Sequence, residues 1–292
     1  MEKTLFAFFM DGLTIDEVVR DHEFAMPVKH FHDTYEVYFL LEGDRYYFIE
    51  KETYHVKTGE VVMVKRQQIH KTGPGEKDFH DRILLQMDGR ALDPYLKSAG
   101  LPDLDSIFSN AYGVIGLNAK MWEWMRDSLL LIKKEMEEKR QGYEIMVRLT
   151  LFQILLALYR KRDEVEFARP PKTVQTAKHQ KVHQVAEYLS AYCESDESLE
   201  EIGKRFYISK SYLSRIFREV TGFSVGEYRN LARIKKGQKL LEYSDYSVTE
   251  IAELLGFESV TYFERVFKKL AATTPKKYRK YKRNGTVTGD FW

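Results

Sequence analysis

Two sets of side chains in this chain have the types and spacing to do chemistry. The first is His30-Phe31-His32, with Glu36 four residues on and His70 further along. Three neutral imidazoles and a carboxylate suit a divalent transition metal. They can equally line a pocket for a small organic ligand, or serve as structural hydrogen-bond partners, and the spacing leaves all three open. In an extended chain, period-two alternation puts His30, His32, Glu36, Tyr38 and Leu40 on one side. Phe31, Tyr35, Tyr38, Tyr46, Tyr47 and Phe48 make stacking on a sugar one use for such a pocket, although half of them must point outward. Arg82, on a later strand, is placed to pair with a ligand carboxylate or with Glu36.

The second set consists of polar donors with reach, and it is written twice. SLEEIGKRFYISKSYLSRIFREVTGFSVGEY and SVTEIAELLGFESVTYFERVFKKLAATTPKKY occupy residues 198–278. Ser198 matches Ser247 and Ile202 matches Ile251 at a separation of 49; Ser209 matches Ser259, Leu213 Phe263, Arg215 Arg265, Phe217 Phe267 and Tyr228 Tyr278 at 50. One residue has been added in the turn.

The elements that must hold these donors are short helices. Ser198 and Ser247, each with a Glu three positions on, form capping boxes. Leu199, Ile202 and Phe206, and Val248, Ile251 and Leu255, then recur at helical spacing, with Gly203 and Ala252 small enough for a close crossing. A second helix starts at Ser209 or Ser259 and buries Leu213, Ile216, Phe217 and Val220, or Phe263, Val266, Phe267 and Leu270. Its other face carries Ser211, Tyr212, Ser214, Arg215 and Arg218, or Thr261, Tyr262, Arg265 and Lys268. Helical hairpins can also pack as a bundle or bind protein, but duplicated donors at the same helix position suit base edges in the major groove of DNA. The charge agrees: residues 172–283 hold 22 Lys+Arg against 14 Asp+Glu, a net of +8, whereas residues 1–171 hold 24 against 29, a net of −5. Counterion release needs such a basic surface, densest at Lys276, Lys277, Arg279, Lys280, Lys282 and Arg283.

Residues 178–283 resemble the double helix-turn-helix DNA-binding domain of AraC/XylS transcriptional regulators. The resemblance is carried by Ile251-Ala252-Glu253-Leu254-Leu255-Gly256-Phe257, Ser259, Tyr262-Phe263, Arg265, Phe267-Lys268-Lys269, Thr274-Pro275 and Tyr278-Arg279. It implies that two recognition helices enter successive major grooves, held by a linking helix. Residues 225–241, with Tyr228, Leu231, Ile234 and Leu241 as apolar positions, would supply one about 25 Å long, on the scale of a duplex turn of about 34 Å. By position, Ser209, Ser211, Tyr212, Ser214, Arg215, Arg218, Ser259, Thr261, Tyr262, Arg265 and Lys268 would read bases or nearby phosphates, and Lys276, Lys277 and Arg279 phosphates alone. Val260 and Glu264 depart from the donors often found on that face.

The first 90 residues read as strands at 36–41, 45–50, 54–56, 61–65 and 82–87, separated by Gly43, Gly59 and Gly73-Pro74-Gly75. HxH, three residues, Glu, six residues, Gly, and later Gly59 with His70 eleven residues on, resemble the two cupin motifs, the second degenerate at Lys65-Arg66-Gln67-Gln68. In metal-binding cupins, His30, His32, Glu36 and His70 would be the ligands; AraC-type sensor domains commonly use these positions for a small ligand or for hydrogen bonds. Helical patterns follow at 119–136, with Trp122, Met125, Leu129, Ile132 and Met136, and at 143–159, with Ile145, Leu149, Phe152, Leu155, Leu156 and Tyr159. The resemblance implies that this pair forms a homodimer.

The expected fold class is therefore α+β: a cupin-like antiparallel barrel with a helical pair over residues 1–165, a linker at 166–177 broken by Pro170-Pro171, an all-α DNA-binding domain at 178–283, and a tail at 284–292. The lone Cys193 excludes an intrachain disulfide and reads as a buried small side chain. No run of 18 apolar residues and no basic signal-peptide start imply a cytoplasmic protein away from membranes. The expected function is a transcriptional regulator, an activator working with RNA polymerase, that binds double-stranded DNA under control of a small-molecule effector such as a carbohydrate. No catalysis and no cofactor are expected. The alternative is a metal-dependent cupin enzyme fused to a DNA-binding domain.

Overall fold

Strands β1 (Glu2–Met10) and β2 (Leu13–Asp21) open the chain as a hairpin. The computed structural model describes residues 2–22, 24, 32–110, 113–161, 176–271 and 273–284. Strands β3 (Tyr35–Ile49), β4 (Glu52–Lys57), β5 (Glu60–Val64), β6 (His70–Pro74), β7 (Phe79–Met87) and, further on, β8 (Gly113–Gly116) complete an antiparallel sheet of order β1-β2-β7-β3-β5-β8, with β4 and β6 also paired to β3. Helices α1 (Gly89–Ser98), α2 (Leu104–Asn110), α3 (Ala119–Glu138) and α4 (Tyr143–Lys161) follow or flank β8.

The expected turn at Gly43 is instead a bend within one strand. The register slips between Leu40 and Glu42, and the strand passes from β7 and β5 to a second ladder with β6. Gly43 lies at φ 90°, and a Cβ there would sit 2.2 Å from the Phe79 carbonyl oxygen, so the chain can bend sharply only without a side chain. The Gly73-Pro74 separator likewise falls inside β6, paired to Arg45 and Tyr46, with Pro74 at the strand end where a missing N–H is tolerated.

The bent sheet encloses one core and backs onto another. Tyr38, Leu40, Tyr47, Ile49, Tyr54, Val56, Val62 and Val64 pack together inside. The opposite face, with Val37, Phe39, Val61, Met63, Ile83 and Leu85, packs against α1 to α4. On α3, Met125, Leu129, Ile132 and Met136 are buried as their spacing demands. On α4 the buried apolar positions are Val147, Leu151, Phe152, Ile154, Leu155 and Leu158, whereas Ile145 and Leu149 of the expected stripe are 62% and 52% exposed.

The second unit is all helical: α5 (Ala177–Ala191), α6 (Leu199–Arg205), α7 (Lys210–Thr221), α8 (Val225–Tyr243), α9 (Val248–Leu254), α10 (Val260–Ala271) and α11 (Pro275–Asn284). Both expected capping boxes are present, at Ser198/Glu201 and Ser247/Glu250, and a third at Ser224/Glu227 starts α8. Cys193 is buried, and burial pushes its thiol up to about 11. Most of the expected linker, and the tail from residue 285, lie outside the described residues. Among the described residues no helix is long and apolar enough to cross a membrane.

Candidate nucleic-acid interface and barrel site

The two helix-turn-helix units are built bond for bond alike. The Ile208 amide donates to the Gly203 carbonyl at 2.9 Å, and Phe257 to Ala252 at 3.0 Å; Tyr207 donates to Lys204 at 3.1 Å, and Gly256 to Glu253 at 2.9 Å. The turn forces one residue into the left-handed region: Tyr207 at φ 56° in the first unit and Gly256 at φ 70° in the second. Ser209 and Ser259 each accept the amide three residues on at 3.2 Å, which fixes the start of α7 and α10. Leu213, Ile216 and Phe217, and Phe263 and Phe267, are buried, while Val220, Val266 and Leu270 are only half-buried. Phe217 meets Tyr228 edge-on at 5.4 Å, and Phe267 meets Tyr278 at 5.5 Å.

Helix α8 fixes both units. Tyr228 seats the first, Gly237 lets Leu255 and Phe263 of the second approach the helix backbone, and Asn230 donates to the Tyr262 hydroxyl at 3.2 Å. Arg233, which the sequence reading did not single out, is buried; its guanidinium donates to the carbonyls of Cys193 at 2.6 Å and Ser195 at 2.9 Å and lies 5.3 Å from the Phe257 ring centre. Its signal was a cation beside Ile234 on the apolar stripe.

On the outer faces, Ser211, Tyr212, Ser214, Arg215 and Arg218 are exposed along α7, and an open groove there is lined by Lys210, Ser211, Ser214, Arg215, Arg218 and Glu219. Thr261, Arg265 and Lys268 are exposed along α10. Tyr262 is half-buried: its hydroxyl takes the Asn230 hydrogen bond and its ring meets Phe257 edge-on at 5.8 Å. Ile208 stands at the matching place in the first unit, and Tyr212 there stays exposed. Arg215 also lies 3.6 Å from Glu219, which Lys178 pairs with in turn; the second unit has Lys269 in place of that Glu.

At the start of α11, Lys276 and Lys277 are exposed. Arg279, expected to contact phosphates, is engaged within the protein. It is half-buried, and its guanidinium donates to the carbonyls of Leu241, at 3.4 Å, and Tyr246, clamping α11 to the end of α8.

In the sheet, Glu36 and His70 come together, with Oε2 3.3 Å from Nε2 and both side chains buried. Gln86 donates to the other Glu36 oxygen at 2.8 Å. His70 Nδ1 lies 2.9 Å from the Gln68 carbonyl, to which it can only donate. His32 is half-buried just ahead of β3, and His30 lies outside the described residues. Arg82 pairs with neither Glu36 nor an open space: its guanidinium is bound to Asp16, on the neighbouring strand β2.

The interior also holds a basic cluster that the sequence reading did not assemble. Arg20, Arg45 and Arg82 are all buried, together with His80. Burial, then the guanidiniums of Arg45 and Arg20, hold the His80 imidazole down at about 4. Burial pushes the Tyr38 hydroxyl up to about 12 and that of Tyr47 well above its ordinary range, and the two rings meet edge-on at 5.1 Å. Alternation along β2, β3 and β7 could have gathered these arginines, had β2 been recognised.

A family model described as a helix-turn-helix domain matches residues 177–281, and one described as an AraC-like ligand binding domain matches residues 17–155. The chain belongs to the AraC family. It is 24% identical over 275 residues to the Msm operon regulatory protein of Streptococcus mutans, across 94% of this chain and 93% of that protein. It is 30% identical over 120 residues to the regulatory protein PocR of Salmonella typhimurium, across 40% of each. Among solved structures it is similar to unsaturated fatty acid bound ToxT of Vibrio cholerae, at 14% identity over 97% of this chain and all of that one, with a TM-score of 0.39. It is also similar to the DNA-binding domain of AdpA in complex with a target DNA, at 29% identity over 36% of this chain and 96% of that one, with a TM-score of 0.34. An AraC-type transcriptional regulator thus has its DNA-binding half in the duplicated helices and its ligand-binding half in the sheet.

Proposed function

We propose that this AraC-type regulator binds double-stranded DNA with α7 and α10 in successive major grooves and activates transcription with RNA polymerase when the sheet domain holds its effector. Arg215, Arg265, Ser211, Ser214 and Thr261 contact base edges or adjacent phosphates, while Lys276 and Lys277 contact phosphates only. The observation that carries this reading is the matched pair of exposed donor faces on two helices fixed to one scaffold. Polar donors at the same place on two rigid units read a two-part site. Ser209 and Ser259 cap their helices, and Tyr262 steadies Arg265.

The effector is a small molecule, with a carbohydrate body as one candidate, held by Glu36, His70, Tyr38 and their neighbours inside the sheet. A homodimer forms through α3 and α4, whose Trp124, Leu131, Ile145 and Leu149 are exposed apolar side chains of the kind that associate. Genome-wide mapping of the DNA bound by the intact protein tests this reading. Enriched sites sharing a two-part motif are expected; an absence of sequence-specific enrichment would overturn it.

A further inference from the structure

We propose that the effector is a small organic carboxylate, and that Arg45 is the group that takes its charge. This rests on the reading of the sheet domain as the effector-binding half.

The argument is one of charge inside the fold. Three guanidiniums are buried around His80, and two have carboxylate partners: Arg20 donates to Glu2 at 2.8 Å, and Arg82 is bound to Asp16. Arg45, only 1% exposed, has none among the described residues. Its hydrogen bonds go to the Thr72 hydroxyl at 3.3 Å and the Phe24 carbonyl at 2.5 Å, both neutral. The nearby carboxylate of Asp44 is occupied by His55 and the amides of Glu76 and Lys77. A buried cation without a partner is costly, and no carboxylate among the described residues pairs with this one.

The surroundings suit an organic anion. The Phe24 ring lies 3.8 Å from the Arg20 guanidinium, 5.7 Å from that of Arg45 and 6.2 Å from the His80 ring, so it packs among all three. Tyr38 and Tyr47 keep their protons there and can donate. His80, neutral at physiological pH and 3.4 Å from Arg20 Nη1, adds no charge. One uncompensated guanidinium matches one carboxylate in a forked pair. A phosphate monoester brings close to two charges and would be left over-negative.

The test uses the full chain and sodium acetate, the bare headgroup, against sodium chloride at equal ionic strength, with sodium phosphate as a third arm. Acetate should raise the melting temperature of the wild type by about 2 °C or more and leave that of Arg45→Met unmoved. Without added anion, Arg45→Met should melt at or above the wild type, since it removes a lone buried charge and keeps the apolar stem. A fall of several degrees in Arg45→Met would make Arg45 a structural strut. An acetate shift that is absent in the wild type, or that survives the substitution, would remove the anion site, and a larger shift with phosphate would reassign the ligand class. Operator binding measured on the same preparations separates the two levels: its loss counts against the regulator reading, whereas its persistence without an acetate effect counts against the carboxylate alone.

Discussion

The guanidinium of Arg215 lies 5.2 Å from the ring centre of Tyr212, one helical turn before it, and Arg265 takes the same position over Tyr262 at 5.1 Å. The aromatic face holds each long side chain in one part of its range, so less freedom is lost when it meets a base. The two copies restrain their pairs differently. Tyr262 is fixed by Asn230 and Phe257, whereas Arg215 is held from its other side by Glu219.

Arg215→Ala should weaken operator binding by roughly 1 to 3 kcal/mol and relax specificity at one end of the site. Titrations against operators altered base by base check this, and an unchanged affinity with an unchanged preference would contradict the assignment.

Lys277 and Arg279, two residues apart, should behave oppositely. Lys277→Gln should weaken binding to all sequences alike and lower the salt slope by about one, with the melting temperature unchanged. Arg279→Gln should lower the melting temperature of the helical unit by breaking the clamp on Leu241 and Tyr246. An Arg279 variant with wild-type stability and a reduced salt slope would restore it as a phosphate contact.

The shared left-handed turn residue gives an internal control. Gly256→Ala places a Cβ 2.2 Å from the Glu194 carbonyl oxygen and should destabilise by at least about 2 kcal/mol. Tyr207, 93% exposed at the matching position, loses no packing, so Tyr207→Gly should be neutral or stabilising by up to about 1 kcal/mol. Denaturant melts of both variants read this directly; equal losses would mean that the two turns are not equivalent.

His80 makes the sheet domain acid-sensitive. Its folded value of about 4 lies below the ordinary 6.5, so the unfolded chain takes up the proton first. Its contribution is fully present above about pH 6.5 and lost as the pH falls toward 4, at most about 3 kcal/mol. Asp81, on the other face of β7, works against this: burial raises its carboxyl to about 6, so its contribution is present below its ordinary 3.8 and fades as the pH rises through 6. Stability curves for His80→Gln between pH 4 and 7 should therefore lose the acid sensitivity; a slope as steep as the wild type would exonerate His80.

The helical half was legible because its rules are local. Capping serines, apolar spacing and the repeat fixed α6, α7, α9 and α10, and the linking helix was found two residues short, at Leu241 rather than Tyr243. What escaped were long-range commitments: the carbonyls that claim Arg233 and Arg279, and the Phe257 contact that half-buries Tyr262. The sheet was less legible. β1 and β2 carry acidic and exposed positions that dilute the strand pattern, and Gly43 signals a turn and a bend with the same residue. Without β2, Asp16 and Arg20 could not be placed beside Arg82 and His80, so the Glu36–His70 pair was foreseen while the basic cluster was not.

Hydroxyl-radical footprinting of one mapped operator tests the central claim most directly. The wild type should protect two segments about one helical turn apart on one face of the duplex, with Arg215→Ala losing one segment and Arg265→Ala the other. A single protected segment, or the same segment lost in both variants, would contradict a two-module reader.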